Sequence, residues 1–245
     1  MLDLLDLNKQ SRRTAYLSQN HISCCSTDFS KTTTRITLGY PFLSEVGKLY
    51  AYKKNDIIFW DGEVSSSVYF LVSGVVRGTK LFCDGRRQVT RFAFAGEILE
   101  HAHLKHIPFT AEAVTDIVAH IIPRQCLDDA MDAKPELRRL VMVSILDELH
   151  ETQCRITALA RLTAQERVAQ FLHNIYLRSS ADNDGVFHLP MQRQDIADYL
   201  GLTIETVSRI FSKLKRENRI HLLSSNRVKI PNLPTFKTEL LANLA

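Results

Sequence analysis

Residues 193–212 read RQDIADYLGLTIETVSRIFS, and no other stretch restricts the fold as tightly. Two short helices crossing at a fixed angle need a small side chain where they touch, and Ala197 supplies it. The turn between them needs a residue that tolerates positive φ, and Gly201 stands four positions later. Val207 and Ile210 then anchor the second helix, with Ile196, Leu200 and Leu202 completing the buried face. Thr203 suits the N-cap of that second helix. This spacing predicts a helix-turn-helix. A charge imbalance accompanies it: residues 205–229 hold 7 basic and 2 acidic side chains, while the whole 245-residue chain carries only +4. The natural partner of such a local patch is a polyanion.

A recognition helix places its N-terminal residues in the major groove of double-stranded DNA. On this helix Glu205, Ser208 and Arg209 face outward at that end. Arg209 can donate two bonds to guanine O6 and N7, Glu205 can accept from a cytosine amino group, and Ser208 can bond a base edge or a phosphate. The blander alternative is that Glu205 and Arg209 form a surface i,i+4 pair. Thr203, Thr206, Lys213, Lys215, Arg216 and Arg227 are the expected backbone contacts. Residues 220–230 read as a hairpin with a Ser-Asn turn, the wing that often accompanies such a reader.

Upstream the pattern differs. Residues 41–125 read as short strands punctuated by glycine, and Asp84-Gly85 between two strand-like runs is a strong hairpin signal. Residues 67–73, 75–82, 88–94 and 113–122 are the expected strands, and such spacing suggests a β-roll or jelly roll. Near residue 124 the period becomes helical. Pro135 suits a first helical turn, and Met142, Ile145, Leu149, Thr152, Ile156 and Leu159 follow in alternating three- and four-residue steps. That a/d seam predicts a dimerisation helix over 134–162, and hence a homodimer. Thr163 and Glu166 then form a capping box for a helix over 164–180. The expected fold is α+β: a tail over 1–40, a β-roll over 41–133, the long helix, a winged helix-turn-helix over 163–235 and a tail over 236–245.

Composition narrows the setting. Charged residues make up 24% and apolar ones 45%, ordinary globular values. No stretch of 18 apolar residues exists, so a membrane span is not expected. The start MLDLLDLNKQ lacks a secretory pattern, and five irregularly spaced cysteines suggest reduced thiols, so a cytoplasmic protein is expected.

The β-roll, long helix and winged reader together resemble the Crp/Fnr family of bacterial transcription regulators over about residues 41–232. Asp84-Gly-Arg-Arg-Gln88, Gly96-Glu97 and residues 193–209 look most like its Fnr and FixK branch. There the Glu-x-x-Ser-Arg pattern, matched here by Glu205, Ser208 and Arg209, reads TTGAT-like half-sites in an inverted repeat. The resemblance implies a homodimer that contacts RNA polymerase, usually as an activator, with nitrogen-fixation or microaerobic genes as targets. Two departures matter. Nucleotide-binding members carry an Arg before Ser or Thr after the Gly-Glu turn, whereas here Phe109 precedes Thr110, so no cyclic nucleotide is expected. A [4Fe–4S] cluster needs four thiolates, whereas the tail offers only Cys24 and Cys25 and the matching barrel strand has Ala119. No cofactor is expected.

Two rival readings start from His101, His103 and His106. One adds a metal or redox switch to the regulator, with His21, Cys24 and Cys25 as further weak candidates. The other is a cupin-like metalloenzyme, but there a Glu usually follows the second His closely, and here the next is Glu112. Paired carboxylates, a nucleophile triad and a nucleotide loop are all missing from the sequence, so an enzyme is not expected.

Overall fold

A computed structural model describes residues 47–100, 105–179, 182 and 184–236. The expected tail over 1–40 with His21, Cys24 and Cys25, residues 101–104 with His101 and His103, and residues 237–245 lie outside the described residues.

Among the described residues, eight strands build the first half: β1 (Lys48–Tyr52), β2 (Ile57–Phe59), β3 (Ser67–Ser73), β4 (Val75–Leu81), β5 (Arg87–Phe94), β6 (Ile98–Glu100), β7 (Thr110–Ala113) and β8 (Ile117–Pro123). They form two antiparallel four-stranded sheets, ordered β1-β8-β3-β6 and β2-β7-β4-β5. Alternate side chains point between them, and Phe59, Leu71, Val76, Ala93, Leu99 and Ala111 pack there. The Asp84-Gly85 turn closes the β4–β5 hairpin: Phe82 N–H donates to the Arg86 carbonyl at 2.9 Å.

Residues 113–122, expected as one strand, are two. The chain turns at 114–116 because the Thr115 and Asp116 side chains capture backbone groups. Val75 N–H donates to Thr115 Oγ1 at 3.0 Å, and Lys54 N–H donates to Asp116 Oδ1 at 3.0 Å. The Pro123 stop holds, but the residues after it form a helix of their own, α1 (Arg124–Ala133). Its Leu127 and Ala130 pack on Val68, Phe70 and Ile122.

Helix α2 (Pro135–Arg161) carries Pro at its start, Glu136 in its first turn and Arg161 in its last, as the helix dipole favours. Leu137, Val141 and Ala158 are buried against the rest of the chain. Met142, Leu146, Leu149, Ile156 and Leu159 are exposed, between 41% and 60%. The apolar seam thus divides. Met142, Leu149, Ile156 and Leu159 face outward and Leu146 joins them. Ile145 instead packs on the barrel's own core, and Thr152 lines a cavity of about 190 Å³ with Arg91, Phe109 and Tyr199.

Helix α3 (Ala164–Arg178) begins at the expected capping box, with Thr163 N–H donating to Glu166 Oε2 at 2.8 Å. After it come β9 (Val186–His188), α4 (Arg193–Leu200), α5 (Ile204–Arg216), β10 (His221–Leu222) and β11 (Arg227–Lys229). The last sheet is ordered β10-β11-β9. The expected wing is present, and β9, too short to leave a pattern, completes it. This C-terminal unit packs on the β4–β5 side of the barrel. Phe92 of β5 meets Phe171 at 6.0 Å and Tyr199 at 5.2 Å between ring centroids. Val75, Val89, Phe92 and Phe94 of the barrel share one apolar cluster with Val168, Ile196, Val207 and Phe211.

Gly74 sits at φ +88° between β3 and β4, and a Cβ there would lie 2.4 Å from the Asp116 carbonyl oxygen. Backbone cannot yield as a flexible side chain can. Gly74→Ala should therefore cost about 2 kcal/mol or more of stability. A thermal unfolding curve checks it; an unchanged midpoint would show that the β3–β4 turn relaxes freely.

Candidate nucleic-acid interface

The reader is assembled from α4 and α5. Gly201 ends α4 in the left-handed region, at φ 63° and ψ 42°, which turns the chain sharply into α5. Leu202 N–H donates to the Ala197 carbonyl at 3.0 Å, and the Arg167 guanidinium satisfies the Leu200 carbonyl at 2.8 Å. Ile196, Ala197 and Val207 are fully buried where the helices cross. A small residue at 197 allows that approach. The Arg193 guanidinium lies over the Phe211 ring at 3.6 Å and fixes the start of α4 against α5.

Thr203 caps α5: Thr206 N–H donates to its hydroxyl at 3.2 Å. Val207, Ile210, Phe211 and Leu214 bury one side of α5. Glu205, Ser208, Arg209, Ser212, Lys215 and Arg216 are exposed. At 3.6 residues per turn, Glu205, Arg209, Ser212 and Arg216 run down one stripe, with Ser208 at its edge. The structure therefore brings the three expected base readers together at the open end of one helix.

The electrostatics suit hydrogen bonding to a polar edge. The first-turn backbone amide and the Thr203 hydroxyl hold the Glu205 carboxyl below the usual carboxylate range, and Arg209 adds a smaller pull. Glu205 is therefore an ionised acceptor at neutral pH. Arg209 reaches Thr206 Oγ1 at 3.4 Å, a long bond that leaves its fork available.

The expected backbone contacts divide. Lys215, Arg216 and Arg227 are exposed around the stripe and on the wing, and Thr203 and Thr206 sit at the start of α5. Lys213 turns toward α3, where its Nζ donates to Gln165 Oε1 at 2.7 Å. On the wing, Asn226 Nδ2 and His188 Nε2 are 3.0 Å apart, and burial together with Arg227 pushes the His188 imidazole pKa down. Sequence reasoning passed over Ser212, although its spacing from Arg209 was the available signal. Arg193 over Phe211 left no signal, since the two stand on different helices.

Of the weak metal candidates, His106 is described: it is exposed, with Nδ1 3.0 Å from the Gly62 carbonyl. Among the described residues no three His, Cys, Asp or Glu side chains form a metal-sized group. Cys83 and Cys126 are exposed and Cys154 is half-buried, its Sγ 3.6 Å from His150 Nε2; none of the three is in a disulfide.

Comparison with known proteins agrees with this architecture. Residues 166–238 match the Crp-like helix-turn-helix domain, and residues 50–134 match the cyclic nucleotide-binding domain. The nitrogen fixation regulation protein FixK of Azorhizobium caulinodans is 39% identical over 189 residues, 76% of each chain. The transcriptional activatory protein AadR of Rhodopseudomonas palustris is 38% identical, over 69% of this chain and 72% of that one. The solved structure of FixK2 from Bradyrhizobium japonicum matches with a TM-score of 0.73 at 33% identity, covering 79% of this chain and 96% of that chain.

Proposed function

Because the chain belongs to the Crp/Fnr family of transcription regulators, we propose that it binds TTGAT-like inverted repeats as a homodimer and activates transcription through contact with RNA polymerase. The observation that carries the reading is the exposed stripe of α5, with Glu205, Ser208 and Arg209 at its open end. Glu205 faces a phosphate-rich surface as an anion, which is unfavourable unless it meets a donor such as a cytosine amino group. Arg209 is the guanine reader. Lys215, Arg216 and Arg227 hold phosphates, and Thr203, Thr206 and Lys213 border that surface.

The exposed apolar face of α2 supports a homodimer. Met142, Leu149, Ile156 and Leu159, with Leu146, leave a stripe that a second copy of the helix would cover. The naming of relatives for nitrogen fixation and for transcriptional activation supports an activator of nitrogen-fixation or microaerobic genes.

The barrel's residues do not fit a cyclic phosphate. The Phe109 ring packs on Phe59 at 5.5 Å between centroids, so the position before Thr110 brings an apolar ring, and no cation, to the cavity that Arg91, Thr152 and Tyr199 also line. Of the two cations lining that cavity, Arg91 donates to Glu148 Oε1 at 2.7 Å and to the Ile98 and Leu99 carbonyls at 3.3 Å, and Arg155 lies over the Tyr199 ring at 5.3 Å. A buried phosphate would gain its counter-charge only by breaking these contacts. We read the chain as a DNA-binding regulator that needs no cyclic nucleotide and performs no catalysis.

Fluorescence anisotropy on a duplex with an inverted TTGAT repeat tests this, in air, with chelator, without nucleotide and against a scrambled duplex. Specific binding is expected; equal binding to both duplexes would overturn it. Arg209→Ala should cost about 1–3 kcal/mol on the specific site and relax one base position. An equal loss on every sequence would make Arg209 a phosphate contact. Leu149→Asp and Ile156→Asp should give monomers in sedimentation, with binding to the full repeat weakened by about 100-fold or more. An undisturbed dimer would remove α2 from the interface.

A further inference from the structure

Leu162 and Thr163 join α2 to α3, the first helix of the C-terminal unit that carries the reader, and the reader is also fastened to the barrel by charged side chains remote in sequence. Arg77 of β4 donates from Nη1 to both carboxylate oxygens of Asp195, each at 3.0 Å. Arg87 of β5 donates from Nη2 to Asp195 Oδ1 at 2.9 Å and from Nε to Asp198 Oδ2 at 2.7 Å. Gln88 donates from its side-chain amide to the Asp198 carbonyl. Glu112 of β7 holds the other edge of the Arg77 guanidinium, with Arg77 Nε donating to Oε2 at 3.1 Å. Asp195 is 2% exposed, and it also accepts from Gln192 N–H at 3.2 Å as part of the cap of α4.

We propose that Arg77 and Arg87 are positioning residues for DNA reading, clamping α4 through Asp195 and Asp198 so that α5 is held at a fixed angle to the barrel and the dimer helix. Asp195 and Asp198 lie on the face of α4 turned to the β4–β5 hairpin, whereas Glu205, Ser208 and Arg209 remain exposed with the clamp closed. The clamp therefore orients the reading surface and does not cover it. Planar guanidinium–carboxylate pairing fixes direction as well as distance, which an apolar contact alone does not. In a dimer the two copies of α5 must fall one helical turn of DNA apart, so an error in this angle is felt at both half-sites together. A single half-site makes no such demand.

The inference rests on the DNA-reading proposal, and the test separates the two. The full chain is titrated, by anisotropy, with a duplex bearing one TTGAT half-site and with inverted repeats whose spacers differ by one base pair. The proteins compared are wild type, Arg87→Ala and Arg87→Lys. Arg87 is chosen because its side chain is 30% exposed, against 11% for Arg77, so its loss strands less buried charge. Wild type should prefer one spacer sharply. Arg87→Ala should lose about tenfold or more on that spacer, flatten the spacer profile, and bind the single half-site within about twofold of wild type. Arg87→Lys should fall between.

A merely structural loss would weaken half-site and repeat alike and leave the spacer profile unchanged, which overturns the proposal. Tighter binding by Arg87→Ala would mean that the clamp restrains the reader, and also overturns it. If Arg87→Ala fails to fold, Asp198→Asn, which keeps the side chain's shape, carries the same comparison. If wild type binds the half-site no better than scrambled DNA, the reading proposal itself fails and takes this inference with it. If wild type reads the half-site and Arg87→Ala keeps its spacer profile, only the clamp fails.

Discussion

The contact of Phe92 with Phe171 and Tyr199 decides where the rest of the chain sits. One ring comes from strand β5, one from α3 and one from α4, and around them a single apolar cluster runs from the barrel into the core of the reader. Non-directional burial of this kind supplies most of the driving force for holding two units together. It does not fix their angle. The flanking ion pairs do that: Arg77 and Arg87 with Asp195 and Asp198 at one end, Arg178 with Glu97 and Glu151 at the other. Burying such charges costs desolvation that pairing only about balances, so their contribution lies in register more than in net stability.

The helix-turn-helix was legible because everything that makes it is local. Ala197, Gly201 and Val207 lie within eleven residues, each position answers a steric need inside that window, and the structure realises all three. The Asp84-Gly85 hairpin and the Thr163–Glu166 cap were readable for the same reason. The split of residues 113–122 was hidden because Thr115 and Asp116 turn the chain by bonding to Val75 and Lys54, which only the folded barrel brings near. The rotation of α2 was hidden too. Ile145 fits an a/d seam as well as it fits the barrel's own core, and a periodic pattern cannot say which apolar face meets which neighbour. Of the candidate site, the residue types on α5 were readable. The attachment of α4 to the barrel was not, since Arg77, Arg87, Asp195 and Asp198 look in sequence like ordinary surface charges.

Glu97 makes the same point at the barrel's Gly96-Glu97 turn. Its carboxylate accepts from Arg178 Nη2 at 2.6 and 2.7 Å, and Arg178 also bonds Glu151 of α2 and the Phe92 carbonyl. Burial pushes the Glu97 carboxyl up against the pull of that guanidinium, while Glu97 and Glu151 hold Arg178 above its ordinary range despite burial. One arginine at the end of α3 thus ties together the barrel, α2 and the reader. The Gly96-Glu97 turn is committed to joining three elements.

That commitment bears on the proposed reading of an inverted repeat. Among the described residues, α2 meets the reader directly, with Arg155 over the Tyr199 ring of α4 at 5.3 Å, and through further joints. Leu162 and Thr163 form a covalent hinge, the Phe92 cluster a slippery apolar contact, and the paired guanidiniums a directional one. A hinge alone would let each reader swing independently, and the ordering entropy would be lost again at every binding event. With the apolar contact and the ion pairs closed, that entropy is lost once, on folding. On the proposed reading of the chain as a homodimer on DNA, the barrel would then brace the reading helix α5 against α2, beside the cavity that Arg91, Phe109 and Thr152 line.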